Sequence, residues 1–206
     1  FMVTRNNKTF DAMVLQPKDK MLCAFVLYDD EDIVLASTQG YMVRYAGDAI
    51  SEIGTRAKGV KAMNLSAGDT VAYGCSVKEG ANAILVTTQT NQFKRIRLSE
   101  AGRMNRPAKG ELLAKRVKSN PQNVVYIASV GSYDLLRLTQ DKENWIAVKE
   151  IPIMAKDATF GQGSKGNDLY ILKGIEEIRI LEIPVKPLDE GKEHLHDVEM
   201  LSFDLE

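Results

Sequence analysis

Nine cations fall within 25 residues: Lys94, Arg95, Arg97, Arg103, Arg106, Lys109, Lys115, Arg116 and Lys118. Such a density suits phosphate, because guanidinium forks and ammonium groups bind phosphate oxygens without reading bases. The other spacings that could carry chemistry are weaker. Gly161, Gly163 and Gly166 spell GxGxxG, but a dinucleotide site needs a helix to follow, and residues 168–172 and 176–183 read as strands. His194 and His196 stand two apart in an acidic stretch and offer too few ligands for a metal. With both histidines near the end of the chain, no Ser-His-Asp or paired-carboxylate set can be assembled. The chemistry on offer is therefore binding.

The charge distribution supports that. The chain of 206 residues has a net charge of −1, which by itself argues against a polyanionic partner. Its parts differ, however: residues 40–118 hold 14 basic and 6 acidic side chains, whereas residues 187–206 hold 1 and 7. Cations gathered in one region raise the local potential whatever the total. The acidic segment 187–206 is expected to be mobile and to compete with phosphate at low salt. Besides the nine, Arg44, Arg56, Lys58 and Lys61 lie in the basic region, and Lys165 follows it. No run of 18 apolar residues and no leader sequence is seen, so neither a spanning helix nor a signal peptide is expected. Cys23 and Cys75 lack CxxC spacing and read as reduced, buried thiols of a cytoplasmic protein.

Two markers keep one period and show what must position these residues. Ala57-Lys58-Gly59 returns as Ala108-Lys109-Gly110 and as Ser164-Lys165-Gly166. Thr38-Gln39, Thr88-Gln89 and Thr139-Gln140 each close a β-rich stretch, at spacings of 50 and 51 residues. Residues 12–39 lie on 62–89 without a gap, pairing Ala12 with Ala62, Leu15 with Leu65 and Leu35 with Leu85. Periods of this length mark propellers and related repeat folds. The units run about 1–39, 40–89, 90–140 and 141–206, within a single domain, and the first is expected to lack a loop after Asn7.

Within a unit the pattern is of short strands. Residues 21–28, 33–37, 41–45, 60–65 and 71–77 read as strands, then 83–88, 93–97 and 112–117, then 124–130, 135–139 and 145–148. Residues 1–4 and 196–203 read as further strands at either end. No helix of useful length is expected, and four short strands per unit is how a propeller blade reads. Leu15, Leu35, Leu65, Val71 and Leu85 are expected in the blade cores.

The repeated order of strand, Thr-Gln hairpin, basic strand, loop, Ala-Lys-Gly turn and strand resembles the C-terminal domain of the A subunit of bacterial type IIA topoisomerases. The turn Gly161-Gln162-Gly163-Ser164-Lys165-Gly166 is similar to the lysine-glycine box of that domain. It departs from the gyrase box at Gln162 and Ser164, which favours the topoisomerase IV branch and puts chiral wrapping in doubt. The resemblance implies an all-β fold, a β-pinwheel: a propeller-like ring of four-stranded blades that exchange strands with their neighbours. It also implies a non-catalytic domain that binds and bends duplex DNA on a basic outer rim, in support of decatenation and supercoil relaxation. The expected contacts are Arg44, Arg56, Lys58, Lys61, Lys94, Arg95, Arg97, Arg103, Arg106, Lys109, Lys115, Arg116 and Lys165, with Gly161, Gly163 and Gly166 in the box-like turn. Further implied are a cytoplasmic, nucleoid-associated bacterial protein and an A2B2 assembly with an ATPase subunit. No cofactor is expected in the domain itself, with ATP and Mg used elsewhere in the holoenzyme. Arg44-Tyr45 matches the Arg-Tyr dyad that cleaves DNA in these enzymes, but its counterpart in the next unit is Arg95-Ile96, so Tyr45 reads as an inward strand residue. The competing reading is a propeller that binds protein partners through its end loops.

Overall fold

The computed structural model describes residues 11–54, 56–90, 92–119, 121–139, 143–160 and 177–181. Ten strands are assigned there, joined by turns and three 3-10 turns, with no α-helix among the described residues and so none able to cross a membrane. The strands are β1 (Asp32–Ser37), β2 (Tyr41–Ala46), β3 (Val71–Val77), β4 (Ala83–Thr88), β5 (Phe93–Arg97), β6 (Glu111–Leu112), β7 (Val124–Val130), β8 (Leu135–Thr139), β9 (Glu143–Ala147) and β10 (Glu177–Leu181).

They form three antiparallel sheets in the orders β3-β1-β2-β6, β5-β4-β7 and β10-β8-β9. The same plan recurs: a hairpin whose first strand also pairs with a third strand from later in the chain. The repeat extends to irregularities, since a register shift interrupts β1–β3 at Ala36/Ser37 and β4–β7 at the equivalent Thr87/Thr88. The fourth strand of the first sheet is exchanged. With units counted from here by their hairpins, β1–β2, β4–β5 and β8–β9, β6 belongs to the second unit, yet it pairs with β2 through Tyr41 to Leu112 and Met42 to Glu111.

The core lies between the sheets. Side chains of a strand alternate faces, so Ile84 and Val86 of β4 join Val34, Ala36 and Met42 of the first sheet, while Ala83 and Leu85 join Leu136 and Ile146 of the third. Both faces of β4 are covered, and every residue of it is buried. A third cluster packs Ile33, Val43, Tyr45 and Met63 on the far side of the first sheet. Equivalent residues of the third strands also meet: the Tyr73 and Tyr126 rings lie 4.7 Å apart, and the Ser129 hydroxyl donates to the Ser76 carbonyl at 2.7 Å.

Several sequence expectations need correction. Leu85 is in a core, and Leu35 and Val71 pack against one, but Leu15 and Leu65 are 48% and 42% exposed. The inward position is Met63, which bridges to Ala108 and is 4% exposed. Residues 21–28 and 60–65 form no strand, and of the expected 112–117 run only Leu112 lies in a strand, the two-residue Glu111–Leu112. A segment without a ladder partner lacks the cross-strand hydrogen bonds that hold an extended run as sheet. Residues 145–148 are shifted, because Val148 begins a 3-10 turn after β9. Cys23 and Cys75 are free thiols, half-buried; burial pushes the Cys75 thiol up to about 12. The expected strands at 1–4 and 196–203, the loop after Asn7 and the segment 187–206 lie outside the described residues.

Exchange of β6 depends on the lysine-glycine turn. Gly110 has φ +88°, and a Cβ there would stand 2.3 Å from the Met42 carbonyl oxygen, so only glycine lets the turn press onto β2. Gly59, at the equivalent place one unit earlier, has φ +80° and open space around it. Gly110→Ala is therefore expected to lower stability by about 3 kcal/mol, from strain and clash together. Gly59→Ala should cost only about 1 kcal/mol, from the left-handed conformation alone. Urea unfolding of the two variants checks the contrast, and equal losses would contradict it.

Candidate nucleic-acid interface

The cations expected to meet a polyanion separate into two sets. The interior set begins with Arg44 and Arg95, which hold equivalent positions two residues before the last residue of β2 and β5. Arg44 reaches from the first sheet to the 3-10 turn of the second unit, donating through Nη1 to the carbonyls of Leu98 at 3.0 Å and Ala101 at 2.9 Å. Its Nε donates to Asp32 Oδ2 at 2.6 Å. Arg95 does the same one unit later, donating to the carbonyls of Ile151 at 2.6 Å and Lys149 at 3.1 Å. Each guanidinium thus gives donors to carbonyls in or next to a short 3-10 turn, of which Leu98 also accepts from Ala101 N–H.

Lys94 is more deeply placed. It is fully buried, and its ammonium donates to three carbonyls, Leu113 at 2.8 Å, Ala158 at 2.9 Å and Lys156 at 3.1 Å, which uses all of its donors. Burial lowers its pKa to about 8, against the opposing attraction of Asp157 and Glu100. Lys94 and Arg95 are therefore withdrawn from the interface, and Arg44 with them. A charged residue on a strand reads as exposed, but here each fills a junction lined with carbonyl oxygens. Tyr45 is buried, as its place in the repeat requires, and burial raises its pKa.

The second set is exposed and gathers where units meet. The first hairpin is fixed by Asp69, whose Oδ1 accepts from the Thr38 hydroxyl and from the Gln39 and Thr70 N–H groups, each at 2.9 Å. Burial would raise the Asp69 pKa, but hydrogen bonds from Ser37, Gln39, Thr38 and Thr70 outweigh it and hold the carboxyl below its usual value. Against this hairpin comes the lysine-glycine turn of the second unit, held by Asn64 N–H to the Ala108 carbonyl and Leu113 N–H to the Gly40 carbonyl, both 2.8 Å. Lys109 Nζ then lies 4.8 Å, and Arg116 Cζ 4.9 Å, from the centre of the Tyr41 ring. Arg116 also donates to the Gln39 carbonyl at 2.9 Å and to Gln39 Oε1 at 3.2 Å. Exposed Lys115 and Lys118 stand with Arg116 around a cavity of about 320 Å³, whose wall includes Gln92 and Phe160.

The remaining cations surround this junction less closely. Arg103 is mostly exposed and donates to Asp32 Oδ2 at 2.9 Å, so that one carboxylate oxygen serves two arginines. Arg106 donates to the carbonyls of Ala49 at 3.1 Å and Lys61 at 2.8 Å, tying the second unit's loop to the first. Arg97 is exposed beside Glu100 at 3.6 Å, and Arg56, Lys58 and Lys61 are exposed on the loop before β3. Lys165 and the turn at Gly161, Gly163 and Gly166 lie outside the described residues. Tyr41 and Gln39 are the participants that the residue pattern did not single out. The pairing of Thr-Gln hairpins with lysine-glycine turns was readable, but their meeting one unit out of step was not.

A family model described as DNA gyrase C-terminal domain, beta-propeller, matches residues 31–73 and 82–130. The A subunit of DNA topoisomerase 4 from Bacillus subtilis (strain 168) is 28% identical over 142 residues, which are 69% of this chain and 18% of that protein. Among solved structures, the C-terminal domain of DNA topoisomerase IV is similar at a TM-score of 0.71 and 22% identity, over 83% of this chain and 53% of that one. The DNA gyrase A C-terminal domain follows at 0.67 and 23%, over 76% and 54%. The chain thus spans under a fifth of the curated relative and about half of each solved domain, and the structural likeness bears out the β-pinwheel, propeller-type fold.

The interior role of Lys94 has a measurable consequence. Lys94→Met removes three hydrogen bonds to buried carbonyls and should destabilise by about 2–4 kcal/mol, whereas Lys115→Met should stay within about 0.5 kcal/mol. The native amine releases its proton near pH 8 and the unfolded one near 10.5. Between those values the unfolded chain binds more protons, so this linkage raises the parent's stability as pH rises. The gap between parent and Lys94→Met should accordingly widen from pH 8 to pH 10 in denaturant melts, and a gap that narrows would contradict the assignment.

Proposed function

We propose that this chain, which the DNA gyrase C-terminal domain model matches over residues 31–73 and 82–130, is the part of a topoisomerase IV A subunit that binds and bends duplex DNA. The observation that carries this reading is the junction of the first two units. Exposed Lys109, Lys115 and Arg116 converge there on one hairpin, while the nearby carboxylates are engaged: Glu111 with Lys156, Asp69 with the hairpin, Asp32 with two arginines. A cationic edge whose carboxylates are already engaged, Glu111 and Asp32 by cations and Asp69 by hydroxyl and N–H donors, attracts phosphate without reading sequence.

Magnitudes are compatible. Smoothly bending a short duplex by 40–90° costs on the order of 1–6 kcal/mol. Roughly six phosphate contacts, with the counterions they release, offset that at moderate salt. Exposed Arg56, Lys58, Lys61, Arg97, Arg103, Lys109, Lys115 and Arg116, with half-buried Arg106, suffice without the three interior cations. In this reading the domain holds DNA flanking the cleaved segment or the segment to be transported, in support of decatenation and relaxation. Strand cleavage and use of ATP and Mg belong to the rest of an A2B2 assembly in the bacterial cytoplasm, and this domain contributes no cofactor.

Charge reversal at Arg103, Lys109, Lys115 and Arg116 together is the test. Affinity for any duplex sequence should fall roughly tenfold or more at low salt, and the log-log salt slope should flatten by about 0.9 for each phosphate no longer neutralised. Fluorescence anisotropy across a salt series reads both. An unchanged slope would instead favour a propeller that docks a protein partner through its end loops.

A further inference from the structure

The Tyr41 ring holds two cations from the neighbouring unit, an arrangement that general attraction of phosphate does not require. Lys109 comes from the lysine-glycine turn and Arg116 from the segment after β6, seven residues apart, yet both lie within 5 Å of one ring centre. Arg116 is further tethered at two points of Gln39. Two like charges so placed repel each other, and the face of an aromatic ring offsets this only in part. An anion seated between them removes the repulsion. The ring also limits how far apart the pair can be, to about 10 Å, a span that covers neighbouring phosphates of a strand rising about 3.4 Å per nucleotide.

Tyr41 is not a repeated feature. In the β1–β2 and β4–β5 registers, Ala46 is equivalent to Arg97 and Met42 to Phe93, so the residue equivalent to Tyr41 is Gln92. The second hairpin of the described structure therefore lacks the ring. The Tyr41 ring also packs against the Ile33, Val43, Tyr45 and Met63 cluster, but the hairpin itself does not need an aromatic residue, because the second unit forms it with glutamine.

We propose that Tyr41 is a positioning residue that sets Lys109 and Arg116 as a two-cation clamp for the sugar-phosphate backbone, making the first junction the anchoring contact of the DNA path. The clamp rests on the DNA-binding reading above. Its chemistry is a pair of adjacent phosphate anions, and no base is read.

The test uses Tyr41→Gln, which installs the residue the next unit already accommodates, with Tyr41→Phe as the variant that keeps the ring. Anisotropy with a short duplex should show Tyr41→Phe binding like the parent and Tyr41→Gln binding about three- to tenfold more weakly at low salt, with a shallower salt slope. In a Lys109→Gln, Arg116→Gln background, Tyr41→Gln should cause no further loss, a result that a merely structural role would not give. Equal binding by Tyr41→Gln and the parent would overturn the clamp. So would losses that multiply in that background, or a Tyr41→Phe as weak as Tyr41→Gln. NMR of the Arg116 Nε–H during titration with inorganic pyrophosphate separates the two readings. A Tyr41-dependent shift without duplex binding would keep the clamp and sink the DNA function, whereas no response at Arg116 to either probe would sink the clamp.

Discussion

Arginine donated from one unit to the carbonyls of the next is the interaction on which this architecture depends. Each unit ends its hairpin in a three-residue 3-10 turn, whose one internal hydrogen bond satisfies only its first carbonyl. Arg44 supplies donors to the turn at Leu98–Glu100 and Arg95 to the turn at Val148–Glu150, so successive sheets are tied at equivalent points. Hydrogen bonds from a charged donor are each worth about 1.5–3 kcal/mol, and their loss would leave carbonyls buried without partners. Apolar packing between sheets supplies bulk stability, but it is non-directional. The arginines fix which turn meets which sheet.

The series has an end that is visible in the residues themselves. By the same register the third unit carries Trp145 where the first two carry arginine, and it is 47% exposed. A tryptophan has one indole N–H and cannot fork between two carbonyls. The described sheets are thus joined by two arginine staples, and a third of that kind is not encoded at this position.

Strand exchange adds a second tie, and with it the candidate interface. Because β6 pairs with β2, the lysine-glycine turn that precedes it is carried onto the neighbouring unit's hairpin, where Gly110 admits the close approach. The same step delivers Lys109 and Arg116 to Tyr41. Fold stability and the placement of phosphate-binding cations therefore share a device. β5 and the loop after it supply both interior and exterior charge, because their cations face either clustered carbonyls or water.

The period, the all-β class, the hairpins at Thr38 and Thr88 and the strands 71–77, 83–88, 93–97, 124–130 and 135–139 were determined by local pattern alone. They follow from alternation and turn chemistry, which act over a few residues. Which cations face solvent was not so determined. Lys94, Arg95 and Lys109 look alike in a basic run, and only the tertiary structure sends the first two into carbonyl-lined junctions and the third onto a half-buried ring. The strand at 60–65 and the burial of Leu15 and Leu65 failed for the same reason, since a strand exists only where a ladder partner arrives from elsewhere in the chain. The meeting of a Thr-Gln hairpin with a lysine-glycine turn was likewise hidden. Gln39 and Arg116 are 77 residues apart in sequence, and a repeat states what each unit contains without stating which neighbour receives it.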